Sequence, residues 1–558
     1  MASHDKSSAL HVEGAPEHDV PSEKVDTVGA VLAGQVHDMS IEDRATALRL
    51  AMQQDPGLDP FSWRMVKFTL IVLVCCMCSG DNGFDGTVMS SVNSMTQYQK
   101  YFGLNSSPAL ASKTGIVFGM YTIGQVVAFF PASYLPDRIG RRWSMLVGNV
   151  ILMAGAFLTG FSTNMSMFIG GRFLTGLGCT TAATAAKSYM SEITSPASRG
   201  RWMGLLNSFY YVGQLIASGI AIPLGLRPDT WAWRSPILLQ SAPAVINVIF
   251  VLLLPESPRW LYSRGHKERA VSILAKLHSR DMDPHSPLIQ LEIQEIEANI
   301  SLSGADKRWW DFRAIFNSAA NRYRFGLCAI VSCWGQLSGN GLITYFLPIL
   351  LQQAGIVDTN RQRVLNFVNS ITSFAGALTG TAIVDKVGRR KLFLFAEISC
   401  MCGMAIVAGL LSDAGTQNAM RANAGITFIF LFMVFFSFGI TPLQALYPAE
   451  VLAFENRAKG LALQGWVTNA VSLINTFGLP SALAALTWKT YLIFMVWDVV
   501  GVITIYWFVV ETKQLSLEDI DEVFMAPNPK KRSFELAKLA KERAKRDQEA
   551  LAAVRHEL

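Results

Sequence analysis

Charge is scarce in this 558-residue chain. Asp, Glu, Lys and Arg make up 16% of it against 51% hydrophobic residues, where an ordinary soluble chain carries about a quarter charged. A typical soluble protein is thereby excluded. Histidine is missing where it would matter most. His4, His11, His18, His37, His266, His278, His285 and His556 all fall in polar segments, which leaves no imidazole inside an apolar block to carry a proton. Cys75, Cys76, Cys78, Cys179, Cys328, Cys333, Cys400 and Cys402 lie within apolar blocks, with no metal-ligand spacing to histidine. They read as small buried hydrophobes. No phosphate-binding glycine loop, activated nucleophile or metal cluster is visible, so neither an enzyme, a metal site nor a cofactor is expected. The chain opens without a cationic stretch leading into a short apolar core. No cleavable signal is therefore expected, and the first apolar block serves as the insertion signal.

What is abundant is long apolar sequence. Blocks of about 20 residues, each enough to cross a bilayer, number about twelve and fall as six and six around a polar middle. They start near Phe68, Thr114, Trp143, Met167, Trp202 and Pro236, then near Phe325, Phe367, Leu392, Ile426, Leu461 and Tyr491. The expected fold is an all-α polytopic membrane protein of twelve transmembrane helices in two six-helix bundles. Its organisation reads as a disordered tail (1–66), a bundle (67–254), a linker with short amphipathic helices (255–323), a second bundle (324–510) and a charged tail (511–558). Lys and Arg concentrate in alternate short loops, which places those loops and both termini in the cytosol. The net charge of +6 follows from that bias and needs no nucleic acid, while the basic tail suits contact with anionic lipid.

The halves echo each other. Pro-Asp-Arg-Ile-Gly-Arg-Arg (136–142) recurs as Val-Asp-Lys-Val-Gly-Arg-Arg (384–390), and Glu192 with Arg199 recurs as Glu450 with Arg457. Such a pattern marks parallel repeats related by an axis along the membrane normal. Gly140 and Gly388 suit a reverse turn. Asp137, Arg138, Arg141, Arg142, Glu192, Arg199, Glu256 and Arg259 in one half, with Asp385, Arg389, Arg390, Glu450 and Arg457 in the other, are candidate latch residues joining the cytosolic ends of the halves. The alternative is topology alone, with positive charge merely holding the loops inside.

Charge within a span is costly and marks function. Asp85 in the first span and Arg172 in the fourth sit at similar depth in the outer half. They could alternate between paired and protonated states, as a proton-coupled carrier requires, or form a fixed structural ion pair. Lys187 reads as snorkelling to the interface; Glu397 and Asp498 read as isolated. A sugar needs amides, hydroxyls and an aromatic face. Asn207 and Gln214 in the fifth span, Gln336, Ser338, Asn340 and Tyr345 in the seventh, Gln444 in the tenth, and Trp466 and Asn469 in the eleventh supply them.

Pro-Glu-Ser-Pro-Arg-Trp-Leu (255–261) resembles the signature of the sugar porter family of the major facilitator superfamily. Gly-Arg-Phe (171–173), the paired Gly-Arg-Arg loops, Tyr-Pro-Ala-Glu (447–450) and Glu-Thr-Lys (511–513) agree with it, over roughly residues 64 to 524. The resemblance implies alternating access by two rocking bundles, with Asp85 and Arg172 matching the proton-coupling pair of sugar/proton symporters. Gly335, Gly341 and Ser208 depart from the hexose-carrier pattern, and the sequence there is similar to the fungal lactose and cellodextrin permease branch. Smaller groups at these places leave room for a second ring. The reading is an importer of a sugar (a disaccharide such as lactose or cellobiose, or a hexose) at the plasma membrane, acting as a monomer in the lipid bilayer with the proton as co-transported ion. A facilitative uniporter, a sugar sensor and an exporter of a metabolite are the alternatives. Asn105 and Asn164 are candidate glycan acceptors facing outward.

Overall fold

The computed structural model describes residues 51, 52, 54–59, 61–104, 107–195, 198–304, 312–353, 355–412, 419–453, 457–513, 515 and 517–539. The N-terminal tail to residue 50, Asn105, the side chain of Asp385 and the end of the C-terminal tail lie outside the described residues.

Among these residues, nine helices are long and apolar enough to cross a membrane. The first six spans are Trp63–Asn93, Ser107–Val127 continued by Phe129–Ile139, Arg141–Gly160, Met165–Ile193, Arg199–Leu224, and Trp231–Leu239 continued by Ser241–Val251. The second six are Ala319–Leu337 continued by Asn340–Gln353, Thr359–Val387, Arg389–Leu411, Ala419–Val451, Arg457–Leu486 and Lys489–Phe508. The fourth, seventh and eleventh are the ones outside the apolar nine. The fourth carries Arg172 and the eleventh Asn469 and Asn475, while the seventh is split at Ser338–Gly339 into helices of 19 and 14 residues. Twelve spans in two six-helix bundles form the major facilitator fold.

Helices begin before their apolar windows because polar caps, not lipid, start them. Ser62 accepts a bond from the Met65 N–H, Ser318 from Asn321 and Asp358 from Asn360 and Arg361, each satisfying an orphan donor of a first turn. Breaks have local causes. Pro131 and Pro243 lack the N–H that would continue the helical ladder across Ala128 and Gln240. The seventh span breaks at Ser338–Gly339, where Gly339 takes φ +93°, a conformation open to glycine at little cost.

Small residues let spans touch backbone to backbone. A Cβ on Gly83 would collide with the carbonyl of Tyr210, and one on Gly213 with that of Gly80, so the first and fifth spans lie in direct contact. Between the halves, the face opposite the arginine-rich loops is sealed. Phe118 packs on Tyr345 and Phe346 with centroids 5.1 and 5.7 Å away, and Asn366 donates to Ser91 Oγ at 3.2 Å. Toward the arginine-rich, basic face, Asn207, Lys187 and Trp466 are exposed, and Trp466 meets Phe129 of the other half with ring centroids 6.1 Å apart.

At the basic face, Lys267–His278 and Pro287–Gly304 form the linker helices. They dock under the first bundle. His278 bonds Glu292 at 2.6 Å and the Ile193 carbonyl, at the end of the fourth span, at 2.9 Å. The charged tail begins with a docked element. Leu517–Met525 is a docked helix, with Ile520, Val523 and Phe524 buried and Asp521 paired to Arg324 at 2.6 Å.

Candidate functional site: a buried ion pair, a polar cavity and two matched turns

Asp85 and Arg172 meet. Arg172 Nη1 lies 2.5 Å from Asp85 Oδ1, with side chains 1% and 3% exposed. Tyr121 of the second span lies under the guanidinium at 4.6 Å from ring centroid to Cζ, adding a cation–π contact; the sequence reading had not singled it out. Two ions taken out of water in this way are held by each other, and removing either partner alone costs about 3–5 kcal/mol. One turn away, Asp81 is also buried, and among the described residues neither of its carboxyl oxygens has a hydrogen-bond partner.

The cavity residues divide into those that converge and those that do not. Gln444 Nε2 donates to the Gly335 carbonyl at 3.1 Å, and a Cβ at Gly335 would come within 2.5 Å of that amide. Asn475 Nδ2 donates to the Gln336 carbonyl and lies 3.1 Å from where a Gly341 Cβ would stand. The room expected at these glycines is therefore filled from the tenth and eleventh spans. Asn340 keeps a buried, unpartnered Oδ1, and Tyr345 packs on Phe118. Gln214 is buried; Asn207 and Trp466 are exposed, and Asn469 is half-buried. Ser338 departs from the expectation. Its hydroxyl bonds the Trp334 carbonyl at 2.6 Å and lies 3.3 Å from Glu397, turned toward the ninth span because the helix breaks just after it. Glu397 is not isolated, and Asp498 lies within its electrostatic reach. A polar trio that sequence reading missed lines the same region: Gln464 and Thr468 each donate to Ser332 Oγ at 2.9 Å. Hydroxyls at this spacing resemble ordinary helix-packing residues, so no sequence signal separated them.

At the basic face the repeat appears as geometry. Gly140 and Gly388 adopt φ +100° and +101°. Glu256 accepts from the backbone N–H of Arg141 and Arg142 at 3.0 and 3.2 Å; Glu511 accepts from Arg389 and Arg390 at 2.9 and 3.3 Å. Arg141 pairs with Glu192 at 3.0 Å and Asp137 at 3.1 Å, and Arg389 with Glu450 at 2.7 Å. Ser257 donates to Glu192 and Thr512 to Glu450. Each of these described contacts stays within its own half. They lock helix ends of one bundle rather than bridging bundles, because each carboxylate stands directly below the turn of its own repeat. Arg142 reaches the Leu254 carbonyl at 2.9 Å, Arg390 the Tyr506 carbonyl at 2.8 Å, and Arg138 the Tyr134 hydroxyl. Arg199 is exposed, Arg259 half-buried, and Arg457 contacts the Leu452 carbonyl at 3.4 Å. Glu511 was the omission from the candidate latch. Its signal was readable, since Val510-Glu511-Thr512 after the twelfth span echoes Pro255-Glu256-Ser257 after the sixth. Asn164 caps the fourth span, its amide oxygen accepting from Met167 N–H at 2.8 Å.

This fold and its repeated turns define a transporter. The chain belongs to the family described as "Sugar (and other) transporter", which it matches over residues 71–524; it is a multi-pass membrane protein and not an enzyme. It is 27% identical to the high-affinity glucose transporter of Kluyveromyces lactis over 485 residues, covering 82% of this chain and 85% of that one. It is also 27% identical to the quinate permease of Neurospora africana over 487 residues, covering 83% and 89%. Among solved structures it resembles the inward-open xylose transporter XylE from E. coli, with a TM-score of 0.66, 20% identity, and 82% and 99% of the two chains covered.

Proposed function

We propose that this chain imports a sugar into the cell across the plasma membrane by alternating access, with a proton moving alongside it. The basic face is the cytosolic one, as the loop charges predict, and both termini lie there. The observation that carries the reading is the Asp85–Arg172 pair, 2.5 Å apart and closed to solvent within the bundle. A carboxylate set against one guanidinium has two stable conditions: protonated and apart, or ionised and paired. Proton uptake from outside releases Arg172, and loss of the proton re-forms the pair. Gln214, Gln336, Asn340, Gln444 and Asn475 supply amides for sugar hydroxyls, and Trp466 and Tyr345 supply rings. With Gln444 and Asn475 filling the glycine positions, a single ring is favoured over a disaccharide. The clusters around Glu256 and Glu511 keep each bundle rigid as it rocks.

The test is uptake of labelled glucose, lactose and cellobiose in a transport-null host, with and without a protonophore. Accumulation of one of them that collapses with the protonophore is expected. Accumulation that survives it sinks the symport.

A second reading is favoured by Lys187. It stands exposed on the inner half of the fourth span, with no ion-pair partner among the described residues, where a carboxylate-bearing polyol could meet it. One of the relatives above is a quinate permease. Competition by quinate, abolished in Lys187→Ala, would select this reading over a neutral sugar.

A further inference from the structure

Asp81 has no task in the pairing just described. It lies one turn from Asp85 on the first span, about 6 Å nearer the basic face at about 1.5 Å per residue. It is 3% exposed, and among the described residues both carboxyl oxygens lack a partner. The groups facing it are few. Cys78 and Asp85 share its helix, and Cys179 faces it from the fourth span. Arg172 is committed to Asp85, and Tyr121 of the second span covers that guanidinium. The third and sixth spans bring only neutral amides, Asn149 and Asn247, which reach the Cys78 sulfur at 3.6 and 3.2 Å. From the fifth span comes backbone, packed against Gly80 and Gly83.

An ionised carboxylate shut away from water, cations and donors is costly enough that the group takes a proton instead. Two carboxyls and one guanidinium thus share a closed space. That set is neutral when the two acids hold one proton between them, and the pairing of Asp85 with Arg172 leaves the proton to Asp81. We propose that Asp81 is a second proton-binding site, which receives the proton Asp85 gives up as it pairs with Arg172 and passes it on toward the basic face. The step balances. Before the transfer the freed guanidinium balances anionic Asp81; an O–H bond then breaks on the Asp85 carboxyl, one forms on the Asp81 carboxylate, and anionic Asp85 closes on the guanidinium with the net charge unchanged. The paired Asp85 and Arg172 and the unpartnered Asp81 are the arrangement this transfer would leave. The inference rests on the proton-coupled reading above and extends it from a pair to a three-member set.

The experiment is infrared spectroscopy of the full chain in liposomes, with aspartate carboxyls carrying 13C and no sugar present. A protonated-aspartate C=O band is expected at neutral pH that disappears in Asp81→Asn. In Asp85→Asn, where Asp81 is the acid left to balance Arg172, the band's titration midpoint should fall by about one pH unit or more, as for two sites sharing a proton. Any band from Asp498, buried in the second bundle, should be the same in both variants. A spectrum unchanged in Asp81→Asn overturns the proposal, and so does a midpoint unmoved in Asp85→Asn, which would make Asp81 a static acid. Should Asp81→Asn fail to fold, Asp81→Glu serves. The labelled band must vanish there, and its persistence overturns the assignment. Symport is judged separately by the protonophore. Band shifts with protonophore-insensitive uptake would end symport and leave Asp81 a proton site; the reverse pattern would keep symport and remove Asp81.

Discussion

At the basic face, Glu256 and Glu511 hold the Gly-Arg-Arg turns of their own halves through the same two backbone bonds, while Arg141 and Arg389 reach the matching partners Glu192 and Glu450. Inside the membrane the halves part. The first bundle buries two carboxyls with one guanidinium, Asp81 and Asp85 against Arg172. The second buries Glu397 and Asp498 with no cation paired to either among the described residues. On the proposed reading, the shared parts serve what both bundles must do, which is to stay rigid while they move, and the differing parts serve what only one bundle need do. A carboxyl facing a cation has two stable conditions and can respond to a proton gradient; a carboxyl pair without a cation is most stable protonated and has nothing to release.

The largest effect should separate the halves outright. Asp85→Asn is expected to abolish accumulation of the transported sugar. With one coupled proton and one pH unit of gradient the loss is about tenfold, read as the steady-state ratio of labelled sugar inside to outside. Glu397→Gln should change that ratio less than about twofold, and an equal loss in both variants would end the distinction drawn here. Next in size, Glu256→Gln and Glu511→Gln should each cost about 1–3 kcal/mol, since each removes the charge that two buried N–H groups rely on. Detergent unfolding titrations would measure this, and a large difference between the two would break the symmetry of the turns. Gly140→Ala and Gly388→Ala should follow at about 1–3 kcal/mol, because φ near +100° with ψ of 161° and 154° is a conformation essentially confined to glycine. Some added cost comes from crowding, because the new Cβ would stand 2.6 and 2.7 Å from Glu256 and Glu511. Gln444→Ala should raise KM by about fivefold, the worth of one hydrogen bond, with kcat less changed.

The smallest effect lies at the linker, which only the first bundle carries. Burial pulls the His278 imidazole down, but the charge and hydrogen bond of Glu292 and the Ile193 carbonyl outweigh it, and the group sits above its ordinary value. A raised pKa stabilises docking fully below the unfolded value and loses that contribution as pH rises through the folded one. Protection factors of the Lys267–His278 amides, corrected for intrinsic base-catalysed exchange, should therefore fall as the pH rises above about 6.5. In His278→Ala protection should be low at every pH.

Much of this was legible in the residues. Apolar runs placed the spans, because bilayer thickness fixes their length, and the repeated Gly-Arg-Arg turns revealed the two halves. Asp85 and Arg172 were found because charge in a span is rare enough to stand out. The reach of the arginines was not legible. A carboxylate in the same half or in the other would leave the same sequence, and only the path of the chain puts Glu256 under Gly140. Ser338 was misjudged for a related reason: its neighbours are chosen by a helix break, and the side on which the break leaves its hydroxyl is a matter of packing. Nor could the sequence show that the space beside Gly335 belongs to Gln444, since those residues stand far apart along the chain.

The break at Ser338–Gly339 also divides the cavity in time. Gly335 and Gln336, with the amides of Gln444 and Asn475 bonded to their carbonyls, lie before it. Asn340 and Tyr345 lie after it, on the half-helix that seals the far side against Phe118. On the reading proposed above, a swing of that half-helix takes part of the sugar's contacts with it and leaves the rest in place. Such a site grips from two sides and releases from one. A ligand held in this way departs by losing its contacts in sequence, so that the door and the weakening of the grip are a single motion.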